Sequence, residues 1–356
     1  MMRVNKMVAA VAAGFFIAAN NAYSAEVNLR FEHFLPANSN AQKNVIEPWC
    51  EDLNEESDGR IECDIYPSMQ LGGEPSQLVD MVRNNVIDVA WTALGYSPGR
   101  FRRSEALELP FILPAGGETA SRIVWDYSQR YAQEDFEDYK VLAVYSDGGG
   151  AIHTTSKAVH DLDDLDGLRL RASTRMASKL LDSLGATPVS MPPSQIANTL
   201  SKGVIDGALA VWEVVPPTKM DETTFYHTEV SSYDPNAEPE RATSTVTTLA
   251  VLMNKRKYQN MPEDLKKILD KYSGEALSVR FGKAWDDKIQ EYRDDIGTQP
   301  DQEIIRVDDK VYENMLEASG KVTEEWLASN KGDFDRQEML DHLKDTVSEY
   351  ASGIEN

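Results

Sequence analysis

Gln77-Leu-Val-Asp-Met-Val-Arg-Asn-Asn-Val-Ile-Asp88 can be laid on Gln195-Ile-Ala-Asn-Thr-Leu-Ser-Lys-Gly-Val-Ile-Asp206 without insertion or deletion. Val-Ile-Asp recurs at 86–88 and 204–206, and Asn85 falls on Gly203 where each helix must stop. Both residue types tolerate the left-handed backbone that a helix C-terminus often needs. Each copy therefore reads as a helix, a left-handed stop and a strand entering a core. Two copies this far apart are too few for a solenoid, and they fit two similar lobes.

Outward from these copies, strands and helices alternate. Strands are expected at 27–34, 60–66, 86–93, 141–145 and 168–172. Helices are expected at 42–56, 75–83 and 176–184, with long charged ones over 262–295 and 308–353. This alternation predicts an α/β architecture. In open α/β sheets, ligands bind beyond the carboxyl ends of the strands. Two such lobes facing each other form a cleft that can close by hinging, which points to a solute-binding protein, with a secreted hydrolase as the competing class.

The first residues read as a leader rather than as fold. Arg3 and Lys6 precede an apolar stretch over 7–19, and Ala22-Tyr23-Ser24 supplies the small residues of a cleavage site. This is the pattern of a secretory signal peptide ending at Ser24 or one residue later. The apolar run is too short to span a bilayer as a helix, and no Cys follows it as a lipoprotein would require. The expected location is the periplasm. In an exported protein, Cys50 and Cys63 are expected to form a disulfide rather than a metal site, because no His or further Cys lies nearby.

The chain has 356 residues, with 36 Lys and Arg against 59 Asp and Glu, a net charge of −23. Such a surface repels phosphate, so neither nucleic acid nor an anionic membrane is an expected partner. The sequence has no phosphate-binding Gly-x-x-x-x-Gly-Lys loop and no His-Glu-x-x-His helix. Gly148-Gly149-Gly150 lacks the downstream glycine of a dinucleotide site and reads as a turn. The five histidines show no metal-ligand spacing. Neither catalysis nor a cofactor is expected.

An ordered series of short segments resembles a known family. It runs through Gln70-Leu-Gly-Gly-Glu74, Val86-Ile-Asp-Val-Ala90, Gly95-Tyr-Ser-Pro-Gly-Arg-Phe101 and Glu108-Leu-Pro-Phe111. It continues with Gly167-Leu-Arg-Leu-Arg171, Leu184-Gly-Ala-Thr-Pro-Val189, Gly203-Val-Ile-Asp-Gly207, Met253-Asn-Lys255 and Met261-Pro262. The whole resembles DctP-type solute-binding proteins of tripartite ATP-independent periplasmic (TRAP) transporters. That resemblance implies two α/β lobes joined by crossing strands, a long helix spanning both, and a small organic acid held between them. It further implies delivery to an ion-gradient-driven membrane permease. The expected division is 25–149 plus about 236–275 for lobe I, and 150–235 plus about 276–356 for lobe II. A monomer is the default expectation.

The family's ligand anchor is an Arg in Gly-x-x-x-Arg, which here is Arg171. A guanidinium is planar, always charged and able to grip a carboxylate with two parallel hydrogen bonds. Arg169 shares its sheet face if the strand is regular, and Arg175 follows. Two departures stand out: Ala151, with His153 nearby, replaces a frequent Arg, and Ala208-Leu209-Ala210 replaces Gln-Glu-Asn. These losses favour one carboxylate over a dicarboxylate or sialic-acid-like ligand. Trp212 with Glu213 could instead hold a small amine. Further cleft candidates are His33 and Phe34 at the end of the first strand, Trp91 at the end of the repeated strand, and Tyr96 just after it.

Overall fold

The computed structural model describes residues 25–231, 241–329 and 334–352; the expected leader, 1–24, lies outside them. The chain starts with β1 (Val27–His33), passes through α1 (Glu47–Glu56) to β2 (Ile61–Tyr66), and returns through α2 (Leu78–Arg83) to β3 (Val89–Ala93). β1 lies parallel between β2 and β3. After α3 (Gly117–Tyr131) and β4 (Tyr139–Ser146), residues 147–150 lead into a second sheet at β5 (Ala151–Thr154). There the plan repeats as β6 (Arg169–Ala172), α4 (Arg175–Ser183), β7 (Thr187–Ser190), α5 (Ile196–Ser201) and β8 (Gly207–Ala210), with β6 parallel between β7 and β8. β9 (Tyr226–Glu229) follows, and β10 (Thr248–Asn254) returns to the first sheet.

The strand orders are β2-β1-β3-β10-β4 and, with β11 (Glu303–Arg306), β11-β9-β5-β8-β6-β7. In each sheet the antiparallel neighbour of the repeated strand has just crossed from the other sheet: β10 beside β3, and β5 beside β8. The two sheets are stitched together by these exchanged strands.

The repeat extends to atomic detail. Pro75–Gln77 and Pro193–Gln195 are matching 3-10 turns that lead into α2 and α5. Asn85 and Gly203 have φ of 61° and 63°, the left-handed stop in both copies. Asp88 accepts from the backbone N–H and Nε of Arg30 (3.0 and 2.9 Å), and Asp206 does the same for Arg169 (2.9 and 2.9 Å). Here the structure corrects the strand expected from residue 86. Val86 and Val204 are exposed, the Asp tethers the turn, and pairing begins only at Val89 and Gly207.

The expected long helices are each divided. Preceded by the short α6 (Lys255–Gln259), the first becomes α7 (Glu263–Lys271) and α8 (Glu275–Gly297), separated at Gly274 with φ 75°. The second becomes α9 (Asp309–Ala328) and α10 (Arg336–Ala351), with Asp308 and Asp335 capping their N-termini. The 23 residues of α8 extend about 35 Å. Phe281 and Trp285 of α8 pack on Tyr145 of β4, while Arg293 bonds Glu229 of β9 at 2.6 Å. One helix thus ties both sheets, while α10 packs on α3 and α9 on α4. Cys50 and Cys63 are joined by a disulfide between α1 and β2, worth about 3 kcal/mol for a loop of this size in the chain-entropy model. Among the described residues, no helix is long and apolar enough to cross a membrane.

Candidate ligand-binding cleft

The carboxyl ends of β1, β3, β6 and β8 converge on one cavity between the sheets, about 460 Å³ in empty volume. Arg171 enters it from β6, where its backbone sits opposite Ala208 of β8 and Val189 of β7. Its Nε donates to the Met191 carbonyl (3.1 Å) and Nη1 to the Leu209 carbonyl (3.4 Å). These two bonds fix the guanidinium plane. Nη2 is buried and has no partner. Burial pushes this guanidinium below its usual pKa, while Tyr96 and Asp147 nearby oppose that shift. Arg169, the alternative anchor, is spent on Asp206, and Arg175 bonds Glu105 at 2.7 Å. Two residues along one strand thus separate a structural arginine from one with unused donors.

The other walls are mostly apolar. Phe34 stacks on Trp91 at 4.7 Å between ring centroids, and Tyr96 meets Phe34 edge-on at 5.3 Å. Trp285 of α8 closes the back against Trp91 at 6.0 Å. The Trp91 indole N–H donates to the Tyr145 hydroxyl at 2.7 Å, so the ring presents hydrocarbon to the cavity with its polar edge already satisfied. Leu249 of β10 and Ala210 of β8 complete this part of the lining.

Of the residues singled out from sequence, the structure brings Arg171, Glu213, Phe34, Trp91 and Tyr96 to the cavity. Trp212, His33 and His153 do not line it. Trp212 turns away and donates to Glu229 at 3.1 Å, and His33 pairs with Gln42 at 2.9 Å. His153 Nε2 donates to the Ala210 carbonyl at 3.1 Å, and its Nδ1 meets His227 Nδ1 at 2.7 Å. Burial holds this pair neutral, pushing both below the usual imidazole pKa. The sequence reading missed Trp285, Asp147 and Leu249. Trp285 has the spacing of an ordinary helix core residue. Asp147 stands directly before the three glycines that read as a turn, and nothing in the sequence singles it out.

Three buried acids surround the interlobe space. Burial pushes Glu213 up to about 8, with Asp147 adding to the shift. Burial likewise pushes Asp147 up to about 6, although it accepts from Thr247 N at 2.9 Å and Gly149 N at 3.2 Å. Glu108, which accepts from Thr248 N at 3.0 Å, is pushed up to about 7 by burial. These acids hold protons more tightly folded than unfolded, so their stabilisation is complete below about pH 4 and is lost as pH rises through about 6, 7 and 8. Asp206 and Asp264, held low by Arg169 and Arg60, lose stabilisation in the opposite direction, on strong acidification. The ligand-free protein should therefore melt highest near pH 5 and several degrees lower at pH 8, and Glu213→Gln should flatten that fall. Thermal unfolding at constant salt checks this, and a profile that rises toward pH 8 would contradict it.

The family model for bacterial extracellular solute-binding protein, family 7 (DctP) matches residues 31–330. The chain belongs to this family. Among solved structures, it is similar to a marine metagenome TRAP solute-binding protein specific for aromatic acid ligands, in complex with 3-hydroxybenzoate. That protein is 39% identical over 92% of this chain and 99% of its own, with a TM-score of 0.86. A TRAP solute-binding protein from Rhodoferax ferrireducens T118 with copurified benzoate is 35% identical over 92% of this chain and 100% of its own, also at 0.86. The C4-dicarboxylate-binding periplasmic protein DctP of Rhodobacter capsulatus is 22% identical over 293 residues, 81% of this chain and 84% of that protein. This family 7 protein thus has the two-lobed TRAP solute-binding fold with its cleft between the lobes, in a family of solute carriers rather than enzymes.

Proposed function

We propose that this protein is the periplasmic receptor of a TRAP transporter and that its ligand is an aromatic monocarboxylate with a single ring. The observation that carries this reading is the pairing of one buried guanidinium, its Nη2 unspent, with a cavity walled by Phe34, Trp91, Tyr96 and Trp285. Arg171 would take the carboxylate, and the aromatic walls would enclose the ring. The relatives with bound 3-hydroxybenzoate and benzoate support the same ligand class. A dicarboxylate would need a second cationic or amide partner, and Ala151, Ala208 and Ala210 supply none. An amine would need an unspent negative charge, yet Asp147 is committed to the Thr247 and Gly149 N–H groups beside Arg171, and Glu213 is pushed up to about 8 by burial and is mostly protonated at neutral pH.

The expected partner is the membrane permease of the transporter, met by a monomer exported through the leader at 1–24. We keep the lobe boundaries near 149 and 235 as part of this proposal; the packing of α10 on α3 argues for assigning the chain's end to lobe I. A thermal-shift screen tests the ligand class with benzoate, hydroxybenzoates, phenylacetate, succinate, sialic acid and small amines. At one hundred times its dissociation constant a ligand stabilises by about 2.7 kcal/mol. Aromatic monocarboxylates should give the largest shifts, and a larger shift with succinate or an amine would overturn the assignment.

A further inference from the structure

The cavity holds two sets of unspent hydrogen-bonding atoms, and the carboxylate anchor accounts for only one. Among its lining residues, the fully buried polar atoms without a partner are Arg171 Nη2 and both carboxyl oxygens of Glu213. Of the neighbouring polar groups, Trp91 is committed to Tyr145, Ser173 to Thr247 and Asp147 to two backbone N–H groups, while the Tyr96 hydroxyl faces the Arg171 guanidinium. Glu213 sits in the short 3-10 turn after β8 and is fully buried. The Asn40 backbone N–H approaches it but lies outside bonding geometry. Other buried glutamates are satisfied on at least one oxygen: Glu229 by Trp212 and Arg293, Glu32 by the Leu71 N–H, Glu108 by the Thr248 N–H. A buried carboxyl left wholly unpaired costs stability, and such a cost is typical of a site that waits for a ligand.

We propose that Glu213 is the specificity-determining residue for a hydroxyl group on the ligand's ring, so that the preferred ligand class is hydroxylated aromatic monocarboxylates. This rests on the aromatic-acid reading above and deepens it. A protonated carboxyl offers one donor and one acceptor. Burial keeps Glu213 in that form at neutral pH, with Asp147 alongside. Its complement is a group that both donates and accepts, which is what a hydroxyl does. An ammonium only donates, and a second carboxylate would bring a charge next to Asp147. The similar structures hold both an unsubstituted and a hydroxylated acid, so kinship alone does not choose between them.

The test is calorimetric titration of the wild type, Glu213→Gln and Glu213→Leu with benzoate and with 2-, 3- and 4-hydroxybenzoate. The readout is the ratio of hydroxybenzoate to benzoate affinity. In the wild type one positional isomer should bind about tenfold or more tighter than benzoate, the scale of losing a built-in hydrogen-bond partner. Glu213→Leu should bring that ratio close to one, and Glu213→Gln, which keeps a donor and an acceptor, should retain part of it. If Glu213→Leu does not fold, a reduced ratio in Glu213→Gln carries the test. A ratio unchanged in the variants, or no isomer preferred by the wild type, overturns the role of Glu213 while leaving benzoate binding intact. Failure of every aromatic acid to bind the wild type overturns the ligand class itself, and this inference with it.

Discussion

Arg171→Ala is expected to weaken binding of benzoate about a hundredfold or more, because it strands the ligand carboxylate in a cavity with no other cation. Truncating one member of a buried charge pair costs about 2–5 kcal/mol, and each 1.4 kcal/mol is about tenfold in affinity. Arg171→Lys should recover little. An ammonium is a single point donor and cannot hold the Met191 and Leu209 carbonyls while also facing a carboxylate. The unfolding temperature without ligand should change far less than the affinity, since the removed group leaves its Nη2 unpaired in the folded protein. Unchanged benzoate affinity in Arg171→Ala would overturn the assignment of the anchor. The control is Arg169→Ala, two residues earlier. It should lower stability through loss of the Asp206 tether while leaving the cavity's cation in place.

That contrast also marks how far the sequence could be read. The duplicated helix, stop and strand were legible because each depends on local chemistry. A left-handed Asn or Gly must end the helix, and Val-Ile-Asp must follow it. The strand's true start was not legible, since Asp88 and Asp206 are claimed by Arg30 and Arg169 from distant segments. The choice of Arg171 over Arg169 came from a motif, and its physical basis, the partner Asp206, appears only in three dimensions. Trp285 was unreadable for a related reason. At helical spacing a tryptophan is indistinguishable from core, and only the run of α8 behind both sheets brings it to the cavity. His153 shows the converse. It stood near a family contact in sequence, yet β5 pairs it with His227 on β9, one layer behind the cleft. Glu213 was visible as an acid beside a tryptophan. What burial does to it, turning an apparent cation site into a neutral carboxyl, was not.

Gly95→Val is expected to cost about as much affinity as loss of the anchor, although residue 95 does not line the cavity that Arg171 enters and carries no side chain. The two lobes meet where the turn after β3 faces the start of α4. A Cβ built on Gly95 would lie 2.5 Å from Thr174 Cγ2, 2.6 Å from Thr174 Cβ and 3.1 Å from Glu108 Oε2. Thr174 cannot rotate away cheaply, because its hydroxyl accepts from the Ala177 N–H and caps α4. The Arg175–Glu105 ion pair and the Ser173–Thr247 contact lie in the same seam, so a wedge at residue 95 holds all of them apart. Gly95 does not adopt a left-handed backbone, so the severe clash comes from Thr174 of the opposing lobe, Glu108 of its own lobe needing to give by only a few tenths of an ångström. The open protein should tolerate valine with a small change in unfolding temperature. If the wedge reduces the closed population to about 1%, apparent affinity falls about a hundredfold, since affinity scales with the competent fraction. Calorimetry with benzoate reads the affinity, and small-angle X-ray scattering at saturating ligand reads the shape. The wild type should compact on binding and Gly95→Val should stay open. A variant that compacts and binds like the wild type would show that the Gly95–Thr174 seam does not govern closure.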